Sequence, residues 1–472
     1  LKLTDQGILF SPSDLITFME SPFASAMNRK RLHDPLLVEQ MDKEDPLLVH
    51  LRKKGFAHED AFVRELAASG ADICAIEDDR PHLMREQTVQ AMKAGRGVIT
   101  QAYLTMDRFA GKADFLVKVP GASALGGFHY EVWDTKLSRK LKPYFAIQLC
   151  CYAEMLEGVQ GRRPDRMAVV LGNNEKRELA VASHFAYYRA LKENFLAFHE
   201  DDEAPTPDPA ESSSHGDWSD LAKRLLAERD HLSQVANLRR SQVLKLEAAG
   251  IETMTALARS TLDEIPGMKA ESFQRAKAQA RLQIASKGKD KPVYEIIKHG
   301  PGAPRGLALL PPASPGDVYF DIEGFPGEEG GLEYLWGSTY LNPDGSRAFK
   351  DFWAHDKAAE KQAFTGFIEW VYARWKADPS MHIYHYSAYE VTAIRKLMGQ
   401  HGVCEDMVDN LLRNHVFVDL YTVVRHGVLI GEPKYSIKNV EHIYRGKRAT
   451  DVASGSDSII VYEAWRENPD GG

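Results

Sequence analysis

The chain has 472 residues, of which 44% are hydrophobic and 27% charged, and its formal net charge is −8. That length exceeds a single hydrophobic core, so about three domains are expected. No apolar run approaches the roughly 18 residues a membrane-spanning helix needs, and the acidic balance excludes a protein that coats nucleic acid by bulk charge, while leaving room for a local basic groove.

The chain begins LKLTDQGILF, without the basic-then-apolar layout of a secretory signal and without an initiator Met, so a cytoplasmic fragment with no membrane partner is expected. Cys74, Cys150, Cys151 and Cys404 show neither metal-ligand spacing nor a disulfide framework, which agrees with a reducing compartment.

Residues 1–205 mix helical periodicity (GFAHEDAFVRELAASG) with strand-like runs (RFAGKADFLVKV, FHYEVWDTKL, RMAVVLG), the pattern of an α/β domain. In YEVWDTK, strand alternation puts Tyr130, Val132, Asp134 and Lys136 on one face and Glu131, Trp133 and Thr135 on the other. A D-x-K pair by itself is most often a solvated edge pair. Asp114, in GKADFLVKV, supplies a second carboxylate on the expected neighbouring strand of a hairpin. Paired carboxylates suit Mg²⁺ or Mn²⁺, which prefer oxygen ligands and keep several waters. Such an ion activates a bound water and neutralises charge on a phosphate in flight, while Lys136 positions that water or the developing anion. That is the chemistry of phosphodiester hydrolysis. Upstream, Gly55, His58 and Glu59 lie on an amphipathic helix, and downstream Gln148 and Tyr152 stand one helical turn apart. Taken singly, a helical His is most often structural or exposed, and Q-x-x-x-Y is ordinary core packing.

In this order the segments resemble the RecB-like nucleases of the PD-(D/E)xK superfamily. Their motifs run G-x-x-H-E on a helix, G-x-x-D on a strand, D-x-K on the next strand and Q-x-x-x-Y on a helix, matched here by Gly55/His58/Glu59, Gly111/Asp114, Asp134/Lys136 and Gln148/Tyr152. The resemblance implies a restriction-endonuclease-like domain with His58, Asp114 and Asp134 as metal ligands or their close support. It also implies Lys136 as the base-like catalytic residue, with Gln148 and Tyr152 steadying substrate and site. Many relatives carry an iron-sulfur cluster, but FMESPFASAM and ESSSHGDWSD hold no Cys, so none is expected here.

Residues 206–295 are expected to form a linker, rich in acid, Pro and Ser, followed by an all-helical module. GIETMTALA and DEIPGMKAESFQRAKAQA together are similar to a helix-hairpin-helix, which offers backbone N–H groups at a Gly turn to a DNA phosphate. That likeness marks Gly267, Lys269 and Lys277 as nucleic-acid contacts. The alternative is a helical spacer whose Ile251, Met254, Leu257, Leu262 and Ile265 only fill its own core.

Residues 300–472 return to an α/β pattern. GDVYFDIEGF reads as an inner strand interrupted by Asp321 and Glu323, two acids on one face that point to metal. This D-x-E resembles the first motif of DEDD-type 3′ to 5′ exonucleases, which have an RNase H-like fold. HIYHYSAYEVTAIRKL stands for the second motif, with Glu390 as a metal ligand where Asp is usual, and the following segments bring Asp419, Tyr435 and Lys438 near the site. The last motif, Tyr or His followed four residues later by Asp, has no match, since Tyr462 is followed by Arg466, so this domain is expected to be incomplete.

The three parts together resemble the amino-terminal part of bacterial RecB-like nuclease-helicase proteins. This implies a Mg²⁺- or Mn²⁺-dependent nuclease acting on single- or double-stranded DNA in repair or in defence against foreign DNA. A helicase domain or partner is expected beyond residue 472, because no G-x-x-x-x-G-K-[ST] phosphate loop occurs in the chain. Two alternatives stay open: a non-catalytic DNA-binding scaffold that loads a helicase, and an RNA-directed nuclease.

Overall fold

The computed structural model describes the chain apart from residues 6, 202–203, 299, 301, 303, 326–330, 447–454 and 470–472. It is a mixed α/β structure that divides into two compact units, Leu1–Leu225 and Leu226–Gly472.

The first unit opens with α1 (Pro12–Glu20), α2 (Pro22–Arg31) and α3 (Pro46–Ala68), each with Pro in its first turn, where the missing N–H costs nothing. A six-stranded sheet follows, built from β1 (Ile73–Ala75), β2 (Val98–Met106), β3 (Phe109–Ser123), β4 (Gly126–Lys136), β5 (Arg166–Leu171) and β6 (Lys176–Ala180) in that spatial order. The β2–β3 and β3–β4 pairs are antiparallel, while β1–β2 and β4–β5 are parallel, with α4 (Pro81–Lys93) and α5 (Pro143–Gln160) as the crossovers. Helix α5 is apolar nearly all round and is therefore buried, with the sheet on one side and α1 and α6 (Ala182–Glu200) on the other. Its Leu149, Met155 and Leu156 are fully buried, each contributing about 2 kcal/mol. A left-handed Gly161 at φ 66° ends it.

The second unit begins with the helical module, α7 (Arg240–Ala248), α8 (Met254–Arg259) and α9 (Ala270–Ser286). Leu246, Ile251, Met254, Leu257, Ile265 and Phe273 form its core, whereas Leu262 is exposed. A five-stranded sheet follows: β7 (Val318–Phe325), β8 (Leu332–Leu341), β9 (Arg347–Trp353), β10 (Ile383–His385) and β11 (Phe417–Asp419). The spatial order is β9-β8-β7-β10-β11, antiparallel through β9-β8-β7 and parallel through β7-β10-β11. Helix α10 (Lys357–Ala377) packs on β8 and β9, closing a core around Phe320, Trp336, Phe364 and Phe367. The unit also holds α11 (Tyr389–His401), α12 (Leu420–Gly427) and α13 (Gly455–Glu467), besides the shorter helices Glu405–Arg413 and Ile437–Val440.

This division differs from the expected three parts in two places. Trp218, inside the stretch read as a linker, is 1% exposed, packs against Phe23 and Ala24 of α2, and donates its indole N–H to Asn28 Oδ1 at 2.9 Å. One aromatic anchor outweighs the acidic, Pro-rich composition around it. The helical module, in turn, is joined to the rest of its unit. Tyr435 Oη donates to Gln279 Oε1 of α9 at 2.7 Å, Gln279 Nε2 donates to Ile430 O at 2.8 Å, and Tyr294–Ile296 pairs with Val428–Ile430. Tyr435, expected near the C-terminal acids, is buried with its hydroxyl in this network, where it also receives the Ile430 N–H at 3.0 Å.

Candidate active sites

In the first unit the alternation along β4 buries Tyr130, Val132 and Asp134 on one face, and Asp134 is 3% exposed. Asp114 stands one residue beyond the Phe115–Trp133 pair, on the strand next to Asp134. Its Oδ2 accepts from the Thr135 backbone N–H at 3.0 Å and from the Thr135 hydroxyl at 3.2 Å. Lys136 Nζ lies 2.6 Å from Asp134 Oδ2, a close ion pair. Burial, and then the charge of Asp114, push the Asp134 carboxyl well above the usual aspartate range, which Lys136 only partly offsets. Burial works against the Lys136 ammonium, but Asp134 and then Asp114 outweigh it, so its pKa is raised. Lys136 is held as a cation.

Around this trio the motif residues are placed by packing. Tyr152 on α5 is 5% exposed and donates to Lys112 O on β3 at 2.6 Å, and its hydroxyl also hydrogen-bonds Gln148. Gly111 is required by the same contact: a Cβ there would lie 2.8 Å from Tyr152 Oη and 3.0 Å from Pro12 Cδ. A Cβ at Gly55 would meet nothing, so that glycine has no steric role. His58 on α3 is half-buried, and its Nε2 is buried without a hydrogen-bond partner.

Two participants were not singled out as site residues from sequence. Glu59 has its pKa raised by burial and then by Asp114, which places its carboxyl in the same electrostatic neighbourhood. Gln101 Nε2 donates to Glu59 Oε1 at 2.5 Å. Gln101 sits in β2 between the Thr100–Phe115 and Ala102–Ala113 pairs, which is the position facing Asp114, and its φ is 55°. A non-glycine residue in the left-handed region inside a strand costs on the order of 1 kcal/mol and is held there by its surroundings. Glu59 was legible from the helical motif. Nothing in the sequence marks Gln101.

Asp114 and Asp134 stand opposite one another on adjacent strands and offer the carboxylate oxygens that a hard divalent cation prefers, and His58 Nε2 is a buried nitrogen without a hydrogen-bond partner. Among the described residues no three His, Cys, Asp or Glu side chains converge as a ready-made cage. An open pair of carboxylates is what Mg²⁺ uses when waters and substrate phosphate complete its shell.

In the second unit Asp321 and Glu323 share one face of β7, opposite the core face of Phe320 and Ile322. Asp321 is exposed and Glu323 half-buried, so the strand is less enclosed than its apolar sequence suggests. Burial and then Asp321 raise the Glu323 pKa, while the Ser458 hydroxyl of α13 and the charge of Lys438 hold it back. A bulge follows at Glu323/Gly324, where a Cβ on Gly324 would lie 2.5 Å from Tyr389 Oη. Glu390 shares a neighbour with Glu323, since both carboxylates act on the Tyr389 hydroxyl, and its Oε2 is buried without a hydrogen-bond partner. It occupies the first turn of α11, is 3% exposed, and its Oε2 lies 3.4 Å from His385 Nδ1, which itself hydrogen-bonds Ser387 O at 2.7 Å. Asp419 caps α12, accepting from the Tyr421 and Ser387 backbone N–H groups at 2.9 Å each.

In the helical module Gly267 takes φ 75°, as a turn glycine does, and exposed Lys269 is the residue before α9. Lys245 Nζ donates to Gly267 O at 2.5 Å, and Lys277 Nζ donates to Leu262 O at 3.1 Å. Lys277 thus braces the turn through a backbone carbonyl.

Among the described residues no helix is long and apolar enough to cross a membrane. No curated protein matches the chain. The family model of the RNase H superfamily matches residues 318–472, the stretch that carries Asp321, Glu323 and Glu390. That match points to nuclease-type phosphodiester hydrolysis, and with it to nucleic-acid binding and the use of a divalent metal, in this part of the chain.

Proposed function

We propose that the chain is a divalent-metal-dependent DNA nuclease of RecB-like PD-(D/E)xK type. Its cutting centre is Asp114, Asp134 and Lys136 in the first unit, supported by His58, Glu59, Gln148 and Tyr152. The observation that carries this reading is the buried Asp134, set beside Asp114 with Lys136 Nζ 2.6 Å away. A fold gains nothing in stability from burying such an acid, and perturbed groups of this kind concentrate where chemistry is done.

A bound Mg²⁺ or Mn²⁺ would supply an activated water and neutralise phosphate charge. Asp114 and Asp134 would hold that ion with His58 at its edge. Thr135 fixes Asp114 through two hydrogen bonds, and the Tyr152–Lys112 bond pins β3 to α5, so the two carboxylates keep their spacing. Lys136, kept protonated by both acids, acts as an orienting cation for the attacking water or the phosphate oxygens. We assign Asp321 and Glu323, in the RNase H-superfamily stretch, to a second metal-binding site, and the helix-hairpin-helix-like turn at Gly267 and Lys269 to a sequence-independent phosphate grip. Repair or defence against foreign DNA, alongside a helicase, is the setting that the resemblance supports.

The test is cleavage of end-labelled single- and double-stranded DNA, with RNA in parallel, in Mg²⁺ and in Mn²⁺, by wild type, Asp134→Ala and Asp321→Ala. Loss in Asp134→Ala with retention in Asp321→Ala is expected. Loss only in Asp321→Ala moves the chemistry to the second unit. A wild type that binds but never cuts returns the chain to the scaffold reading.

A further inference from the structure

Beside the C-terminal acids, β8, the end of β9 and α13 line an open cleft of about 530 Å³ walled mostly by rings, with Leu335, Val461 and Ser458 between them. Tyr334 and Tyr462 form its floor, stacked at 3.8 Å between centroids with planes 6° apart. Trp353 continues the stack from Tyr334 at 6.3 Å and 29°, and Trp465 from Tyr462 at 6.0 Å and 23°. His355 lies 4.6 Å from Trp465. The two tyrosines are spent on each other, at 2% and 5% exposure, but Trp353 is 48% and Trp465 39% exposed. Two large indoles thus stand open to solvent next to a nearly parallel stack, an arrangement that a core does not need.

The cleft is tied to the acids by one side chain. The Ser458 hydroxyl lies 2.6 Å from Tyr334 Oη on the cleft floor, and the same serine hydrogen-bonds the Glu323 carboxylate. A ligand resting on the indoles is therefore one residue away from the Asp321/Glu323 pair.

We propose that this cleft is a nucleobase subsite, which takes a base of the strand whose phosphate is presented to Asp321 and Glu323. The inference rests on the assignment of Asp321 and Glu323 to a second metal-binding site and adds how the strand is held there. Every base has an aromatic face, so stacking on Trp353 and Trp465 is tolerant of sequence, and the volume admits a base with its sugar. Several of the polar edges on the named walls are already spent on one another, Ser458 with Tyr334, His355 with Tyr462, and the Trp353 indole N–H with Asp351, so the subsite grips without selecting.

The experiment uses the full chain in EDTA, where turnover is suppressed, with a single-stranded oligodeoxynucleotide carrying 2-aminopurine at its 3′ end or in mid-strand, and a matched strand with an abasic site in the same place. Stacking quenches 2-aminopurine. Wild type is expected to quench it in at least one position and to bind the abasic strand about tenfold more weakly, the scale of one base–aromatic stack. Trp353→Ala and Trp465→Ala should each lose the quenching and bind base-containing and abasic strands alike. Undiminished quenching and an intact preference for the base in both variants overturn the subsite while leaving the nuclease reading standing. Failure of wild type to bind or cut any strand overturns both. A change of oligomeric state in Trp353→Ala with unchanged strand binding shows instead that the indoles meet a second copy, which also overturns the proposal.

Discussion

Asp134 and Lys136, two residues apart on β4, face the same way and meet at 2.6 Å in a place where the aspartate is 3% exposed. A carboxyl whose pKa is raised by folding binds its proton more tightly in the folded chain, so its contribution to stability is present at low pH and is lost as pH rises through the folded-state pKa. Other acids oppose this trend, among them Asp78, held down to about 2 by Arg80, so the comparison is with Asp134→Asn, in which those contributions cancel. Without metal, wild type should lose stability relative to Asp134→Asn as pH rises from the ordinary aspartate range toward neutrality, and Mn²⁺ should reverse the difference. Thermal melts in EDTA and in Mn²⁺ across that range decide it. Parallel curves for the two proteins in EDTA would remove the buried-acid argument.

The left-handed Gln101 makes a separable claim. Gln101→Gly removes both the backbone strain and the hydrogen bond to Glu59, so the melting temperature should rise, by the equivalent of about 1 kcal/mol, while metal affinity and cleavage fall about tenfold. Gln101→Ala keeps the strain and should lose both. A metal titration followed by calorimetry reads the affinity. If the glycine variant is as active as wild type, Gln101 has no part in the site.

Gly111→Ala should destabilise the first unit by about 1–3 kcal/mol, because the added Cβ meets the Tyr152 hydroxyl and Pro12. Removing that hydroxyl in Gly111→Ala/Tyr152→Phe should restore part of the loss, since one of the close contacts is gone. Denaturant melts of the two singles and the double measure the coupling, and strict additivity would show that the contact does not set the requirement for glycine.

For the helical module, Lys269→Ala should weaken binding to unrelated DNA sequences equally and lower the slope of log K against log salt by about 0.9 for duplex DNA. Lys277→Ala should act through folding, since its ammonium is bonded to Leu262 O, and should lower the melting temperature without changing the salt slope. Unchanged slopes in both variants would make the module a spacer.

The sequence was most informative where a period of two did the work. Asp114, Asp134 and Lys136 are carried to one neighbourhood by adjacent strands, so alternation and hairpin geometry suffice to find them. Asp321 and Glu323 follow for the same reason. Gln101 was invisible because a positive φ is signalled by Gly or Asn and here falls on Gln. Motif order marks Glu390 and Tyr435 by chain position and says nothing of burial, and both side chains are buried. The extent of the second unit was hidden for a related reason: its helical part and its sheet part are joined by Gln279, Tyr435 and a three-residue strand pair, long-range contacts that no local pattern announces.

That junction turns two modules into a ruler. With Gln279 hydrogen-bonded to both Tyr435 and Ile430, α9 is not on a tether, and the turn at Gly267 stands at a set distance from β7. A strand gripped at that turn would reach the metal site assigned to Asp321 and Glu323 after a number of nucleotides dictated by the protein. Breaking the junction with Gln279→Ala would therefore loosen that register before it weakened either grip.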